Sequence, residues 1–275
     1  MQQDRRALKF RSKELMAHYR PSPWLVTLVF LLSTSVLTFV AEWVNPVAQQ
    51  IAALSQSMQD TYLQMDETAA VAVVMQLQAL AQTPAFFVTV LVSTLLVLYG
   101  MVVEYGYVSY ALAVVREEES DVGELFSRFY MAGKIILAQV LMIVRIALWS
   151  LLFVIPGIIA YYRYRMVPYI LLDDPDCPVW EAFRRSKAMM KGRKAELFTL
   201  ELSFILWLFG ANLVTNLAGA YGGPGITGNL AALAISTLCS VYLLPYMQLT
   251  FAQWYEALRT GEGAQQQIID GDSLM

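Results

Sequence analysis

Five charged side chains stand inside runs of apolar residues and away from the ends of those runs: Glu104, Arg145, Arg163, Arg165 and Glu201. In hydrocarbon an unpaired charge costs about 2.5–3.5 kcal/mol on insertion scales, so each of them needs a partner, a route to water or a ligand. Arg145 lies about eleven residues into one apolar run, and Glu104 stands twelve residues before Arg116 in the preceding run. The two therefore reach similar depth on neighbouring helices, and a buried Glu104–Arg145 ion pair is expected. Such a pair either fixes helix register or belongs, with Arg163 and Glu201, to a polar intramembrane site for a substrate or an ion. Arg163 and Arg165 are two residues apart amid Tyr161, Tyr162 and Tyr164, so they point to different faces of a helix. They read either as an anion or headgroup site reached from the cytoplasm or as side chains snorkelling to the inner interface. Glu201, seven residues past Lys194, either snorkels or meets Arg163.

Asp173-Asp174-Pro175-Asp176 has the carboxylate density of a divalent-cation or diphosphate site, yet no second acidic motif completes an oxygen cage. As a helix start it is better explained, with Asp176 capping the basic segment behind Pro178 and the aspartates facing its positive end. Asn212 and Asn216, one turn apart, are expected to hydrogen-bond neighbouring helices, and Pro245 to kink or hinge an apolar helix. The lone histidine, His18, reads as an interfacial side chain. No nucleophile elbow, phosphate loop or zinc-protease motif is present. No catalytic residue, metal or cofactor is therefore expected. Cys177 and Cys239 fall on opposite sides of a polar boundary and are not expected to pair.

The elements that must position these groups are apolar helices. Of the 275 residues 57 % are hydrophobic and 15 % charged, with a mean hydropathy of +0.51, too apolar for a soluble domain of this length. Runs long enough to cross a bilayer lie near 24–44, 86–114, 135–154, 157–172, 196–219 and 229–257. They predict an all-α polytopic membrane domain over 1–260, with six transmembrane helices paired as three hairpins. Pro156-Gly157 is taken as the outer turn between the third and fourth. Residues 5–20 and 184–194 hold six Lys and Arg each, whereas 45–84 and 216–228 hold none. That places both termini in the cytoplasm and 45–84 outside, as a helix-rich outer loop. Residues 261–275 read as a mobile cytoplasmic tail.

A short amphipathic segment precedes each pair of spans, at 5–20, 121–134 and 177–192. Glu124, Phe126 and Arg128 recur as Glu181, Phe183 and Arg185, which suggests three copies of an interfacial helix and hairpin or convergence on one interfacial composition. In the third copy Val179, Trp180, Phe183, Met189 and Met190 oppose Arg184, Arg185, Lys187 and Lys191, a pattern suited to an anionic leaflet. Trp180, Arg184, Arg185, Lys187 and Lys191 are the expected lipid-interface contacts.

From Trp149 onward the chain carries Trp149, Pro156-Gly157, Arg163, Tyr164, Tyr169, Asp173-Asp174-Pro175, Ser186, Gly192, Trp207, Pro245-Tyr246 and Tyr255. In these it resembles the bacterial integral-membrane family called domain of unknown function 975; the first 115 residues resemble it mainly in layout. The resemblance implies a multi-pass protein of the bacterial cytoplasmic membrane and supplies no mechanism. The expected function is non-catalytic: transport or binding of an amphiphilic solute or lipid through Glu104, Arg145, Arg163 and Glu201. The alternative is a scaffold, regulatory or immunity-type subunit that binds a partner membrane protein or peptide. Expected partners are the bilayer and its anionic headgroups, with no nucleic acid.

Overall fold

The computed structural model describes residues 5–64, 67–221 and 226–272. Among them every element is helical: α1 Arg5–His18, α2 Pro23–Val44, α3 Pro46–Gln64, α4 Glu67–Ala81, α5 Pro84–Arg116, α6 Glu124–Ser127 with a following 3₁₀ turn, α7 Ala132–Leu152, α8 Val154–Tyr164, α9 Val167–Asp173, α10 Val179–Met189, α11 Lys194–Tyr221 and α12 Ile226–Asp272. Pro23, Pro46 and Pro84 each occupy the first helical position, where the missing N–H is one the helix could not have used. Asn45 caps α3, its Oδ1 accepting from the N–H groups of Val47 at 3.0 Å and Ala48 at 3.3 Å, and Thr83 caps α5 through Phe86 N–H.

Five stretches are long and apolar enough to cross a membrane: Pro23–Ala41, Pro84–Arg116, Glu124–Leu152, Lys194–Ala218 and Ala234–Gly261. The sixth expected span, 157–172, is not one helix. It is divided into α8 and α9 at Arg165–Met166, where the chain turns towards the charged segment behind it. The turn expected at Pro156-Gly157 also lies earlier, at Phe153, whose backbone is extended (φ −162°, ψ 152°). Pro156 falls in the first turn of α8, where proline is tolerated. The backbone of α12 is helical to Asp272, which includes most of the expected tail.

The chain forms two compact units, one of Met1–Val29 with Val102–Met275 and one of Phe30–Met101. In the smaller unit α3 packs along α4, and Asn45 Nδ2 donates to Thr89 Oγ1 at 2.8 Å. The expected outer loop is thus largely helical. In the larger unit α11 packs on α12, α7 on α8, and α1 on α12. Its core holds Trp254, Tyr105, Phe204, Phe251 and Leu125. Gly106 allows α5 to meet α6, since a Cβ there would stand 2.0 Å from the Leu125 carbonyl oxygen.

The short segments before the spans turn their apolar sides to protein more than expected. On α10, Val179, Phe183, Met189 and the adjoining Met190 are buried, and Trp180 is the large apolar side chain left outside, 71 % exposed. On α1, Ser12 and Met16 are buried. Ser12 Oγ lies 3.0 Å from Thr250 Oγ1 and 2.8 Å from the Gln253 amide of α12. The repeated Glu and Arg form the same i,i+4 ion pair in both copies, Glu124–Arg128 at 2.6 Å and Glu181–Arg185 at 3.2 Å. The aromatic between them differs: Phe126 is exposed and Phe183 buried.

Candidate functional site

The break between α8 and α9 brings Arg165 against α11 and α12. Its Nε lies 3.3 Å from Glu201 Oε1, and its guanidinium carbon is 4.9 Å from the Phe251 ring centroid and 5.5 Å from that of Tyr161. Tyr162 donates to the other Glu201 oxygen at 2.6 Å. The close charges are not aligned as a hydrogen bond: Arg165 Nε and Glu201 Oε1 are both buried atoms without a hydrogen-bond partner. A guanidinium has five donors in a fixed fork, so this one retains capacity for a further acceptor. Arg165, not Arg163, is the arginine that meets Glu201.

Glu104 and Arg145 do not form the expected ion pair. Glu104 remains at the surface of α5, within Coulombic reach of Arg165. Arg145 instead lays its guanidinium on Phe183, 4.2 Å from the ring centroid, and near Tyr164 at 5.7 Å. Arg163 sits 5.9 Å from the Trp149 ring. Among the described residues neither Arg145 nor Arg163 has a carboxylate within ion-pair distance. Rings hold the cations in place by cation–π attraction, worth about 0.5–2 kcal/mol each, while leaving their N–H donors available.

A second charged cluster joins α5, α9 and α12. Arg116 donates to Glu256 Oε1 at 2.6 Å and to Asp173 Oδ1 at 2.5 Å; Tyr255 donates to Asp173 Oδ2 at 2.6 Å, and Arg259 lies 3.1 Å from Glu256. Both Asp173 oxygens are thereby engaged by side-chain donors. Asp174 pairs with Arg185 at 3.0 Å. Asp176 does not cap α10, whose cap position is held by Pro178 without a side-chain hydrogen bond. Sequence reasoning missed this cluster because the partners of Arg116 are 57 and 140 residues away. Its only local signal was Arg116 ending a long apolar run.

On α10, Arg184, Arg185 and Lys187 are exposed together with Trp180, as is Lys191 in the turn that follows. The hydrogen bond from Arg184, with another from Arg185, holds the Glu181 carboxyl below its ordinary range. Burial pushes the nearby Cys177 thiol up, against the attraction of Arg185. Asn216 Nδ2 donates to the Asn212 carbonyl at 2.8 Å, so among the described residues these asparagines bond along their own helix.

A family model described as "Protein of unknown function (DUF975)" matches residues 1–262. No curated protein matches the chain, and neither does any solved structure.

Proposed function

Since the chain belongs to the family described as protein of unknown function (DUF975), whose description leaves activity open, we propose from the site alone that it is a non-catalytic, multi-pass membrane protein that binds the anionic group of an amphiphile. Arg145, Arg163 and Arg165 supply the donors. Glu104 and Glu201 set the selectivity by leaving the five groups with one net positive charge, counted as three arginines against two carboxylates. The observation that carries this reading is the pair of guanidinium groups at Arg145 and Arg163, cushioned on Phe183 and Trp149 and not neutralised by a carboxylate. Arginine matches carboxylate and phosphate geometry in a way that a point charge does not.

Both termini lie in the cytoplasm in this reading, because the basic clusters at 5–20 and 184–194 contrast with the lysine- and arginine-free stretch 45–84. The ligand enters from the lipid at Arg163, since the ring that carries it, Trp149, is partly exposed on the apolar helix α7. Tyr162 and Glu201 give it a polar end point, and Arg165 the donor left unused by Glu201.

The test is native mass spectrometry of the full chain purified in mild detergent. Retention of an acidic amphiphile, reduced at least tenfold in a joint Arg145→Gln and Arg163→Gln variant of unchanged melting temperature, supports the reading. Equal retention by that variant rejects it, and a stoichiometric protein partner in place of a small ligand favours a scaffolding role.

A further inference from the structure

The smaller unit, Phe30–Met101, holds a cavity of about 430 Å³ between the second half of α2, the start of α3 and the first half of α5. Two helix faces converge on it. Thr34, Thr38 and Ala41 of α2, with Asn45 just beyond, recur at the spacing that Thr89, Ser93, Leu96 and Gly100 repeat on α5, which puts each set on one side of its helix. Elsewhere on the same stretches large apolar side chains are exposed, Val36 and Phe39 on α2 and Phe87 and Leu91 on α5, and both helices are long and apolar enough to cross a membrane. The cavity is therefore reached from hydrocarbon. Its other end lies at the start of α3, which exposes Gln50 and Gln56, so an occupant needs an apolar part and a polar part.

The polar groups of the lining are uncharged and mostly of one kind. The Thr34 hydroxyl donates to the Phe30 carbonyl at 2.9 Å, Thr38 to the Thr34 carbonyl at 2.8 Å and Thr89 to the Ala85 carbonyl at 2.8 Å. A hydroxyl has one proton and two acceptor lone pairs, so these three, each donating to its own helix, present acceptors. Asn45 Oδ1 is taken by the N–H groups of Val47 and Ala48. Its amide nitrogen gives one proton to Thr89 Oγ1 at 2.8 Å and keeps a second. None of the described residues that line the cavity is charged. A phosphate or carboxylate would meet acceptors with no cation to neutralise it, an ammonium would find no carboxylate, and either charge would stay uncompensated beside hydrocarbon. The complementary ligand is uncharged, donates hydroxyl protons and accepts from one amide.

We propose that this cavity binds the glycerol end of an uncharged acylglycerol, with the free hydroxyl on the threonine oxygens and an ester carbonyl on the Asn45 amide. At about 30 Å³ per water, 430 Å³ is the room of roughly fourteen waters. It takes the glycerol group and the first carbons of a chain, and the rest of the lipid lies along the exposed apolar sides of α2 and α5. The site shares no residue with the arginine site and takes a ligand of different charge. Gly100 stands at the far end, about 16 Å along α5 from Thr89. A Cβ on it would meet nothing within 4 Å, so a larger side chain there enters the cavity without displacing its walls.

Photo-crosslinking tests this on the full chain in phosphatidylcholine nanodiscs. The probes are a diacylglycerol with a diazirine near the glycerol and a phosphatidic acid with the same chains, and labelled peptides are mapped by mass spectrometry. The diacylglycerol should label the segments 34–45 and 89–100 at least about fivefold more than the phosphatidic acid does, and Gly100→Leu should reduce that labelling by a similar factor, the scale of one lost hydrogen bond. Equal labelling by the two lipids overturns the proposal, as does labelling that Gly100→Leu leaves unchanged or an absence of labelling by either lipid at these segments. If Gly100→Leu lowers the melting temperature, a joint Thr34→Val and Thr38→Val variant, which keeps the shape and removes two acceptors, decides by the same criterion. The joint Arg145→Gln and Arg163→Gln variant should label as the wild type does, so the anion-binding reading can fail while this one stands. Loss of diacylglycerol labelling in that variant would assign the lipid to the arginines and overturn the proposal.

Discussion

Gly157 lies directly against Ser150: a Cβ on the glycine would stand 2.0 Å from the serine hydroxyl oxygen and 3.0 Å from its Cα. A rotamer change at Ser150 relieves only the first of these contacts. Gly157→Ala should therefore force the arms of the α7–α8 hairpin apart and destabilise the protein by about 1–3 kcal/mol, as overpacking does. Gly210 meets nothing within 4 Å, so Gly210→Ala should be neutral or stabilising by up to about 1 kcal/mol. Thermal unfolding of the two variants in one detergent compares them, and equal melting temperatures would contradict the close contact.

The Arg165–Glu201 pair should behave as a coupled unit. Removing one partner of a buried ion pair typically costs about 3–5 kcal/mol; Arg165 keeps 27 % of its side chain exposed, which places Arg165→Gln and Glu201→Gln at the lower end. The double variant should lose at least about 1 kcal/mol less than the sum of the two. Additive losses in a denaturation cycle would show that the charges do not sense each other.

Phe183 and Trp180 are neighbours on α10 with opposite duties. Phe183 is buried, with Arg145 on its face and Tyr164 edge-on at 5.0 Å, so Phe183→Ala should cost about 3–5 kcal/mol. Trp180 points outward. Its replacement by alanine should leave the melting temperature within about 1 °C while blue-shifted tryptophan fluorescence from the lipid interface is lost.

Acid should loosen the edge of α10 in a defined window. The folded-state pKa of Glu181 is depressed by Arg184 and Arg185, so its contribution is complete above the ordinary glutamate value of about 4.3 and disappears as pH falls below it. Between pH 5 and pH 3 the wild type should lose more stability than Glu181→Gln, by a small amount because the pair is exposed. Parallel pH profiles would remove Glu181 from the account.

Cys177 provides a second titration. Burial raises its pKa and Arg185 opposes the rise, so alkylation by iodoacetamide at pH 7 should be slow and should slow further in Arg185→Gln, with the urea-unfolded chain reacting at the free-thiol rate. Faster labelling in that variant would mean that Arg185 acts by blocking access and not by charge.

Much of the architecture is legible in the sequence because hydrocarbon imposes a length rule. Spans near 24–44, 86–114, 135–154, 196–219 and 229–257 coincide with the five apolar stretches long enough to cross. The rule misleads at 157–172, where a run of adequate length contains a helix break at Arg165–Met166, set by tertiary partners that no local pattern records. The same reliance on length placed Arg145 at mid-membrane and gave it Glu104. Tertiary packing instead lays it on Phe183. Composition gives the segment of α10 an apolar and a basic side, but could not say that Phe183 on the apolar side turns to Tyr164 of α8. Glu201 reads in the sequence as a charge that snorkels or meets Arg163; that it meets Arg165 depends on the break between α8 and α9.

Ser12 and Gln253, whose side chains meet in the interior, are 241 positions apart. At about 5–20 residues per second, translation separates the appearance of the two by roughly 12–50 s. Through that interval α1 lacks its partners on α12. Closure of the bundle is therefore a late, post-insertional event, and a ribosome stalled before Thr250 would leave a threaded but unlatched chain whose α1 remains open to protease.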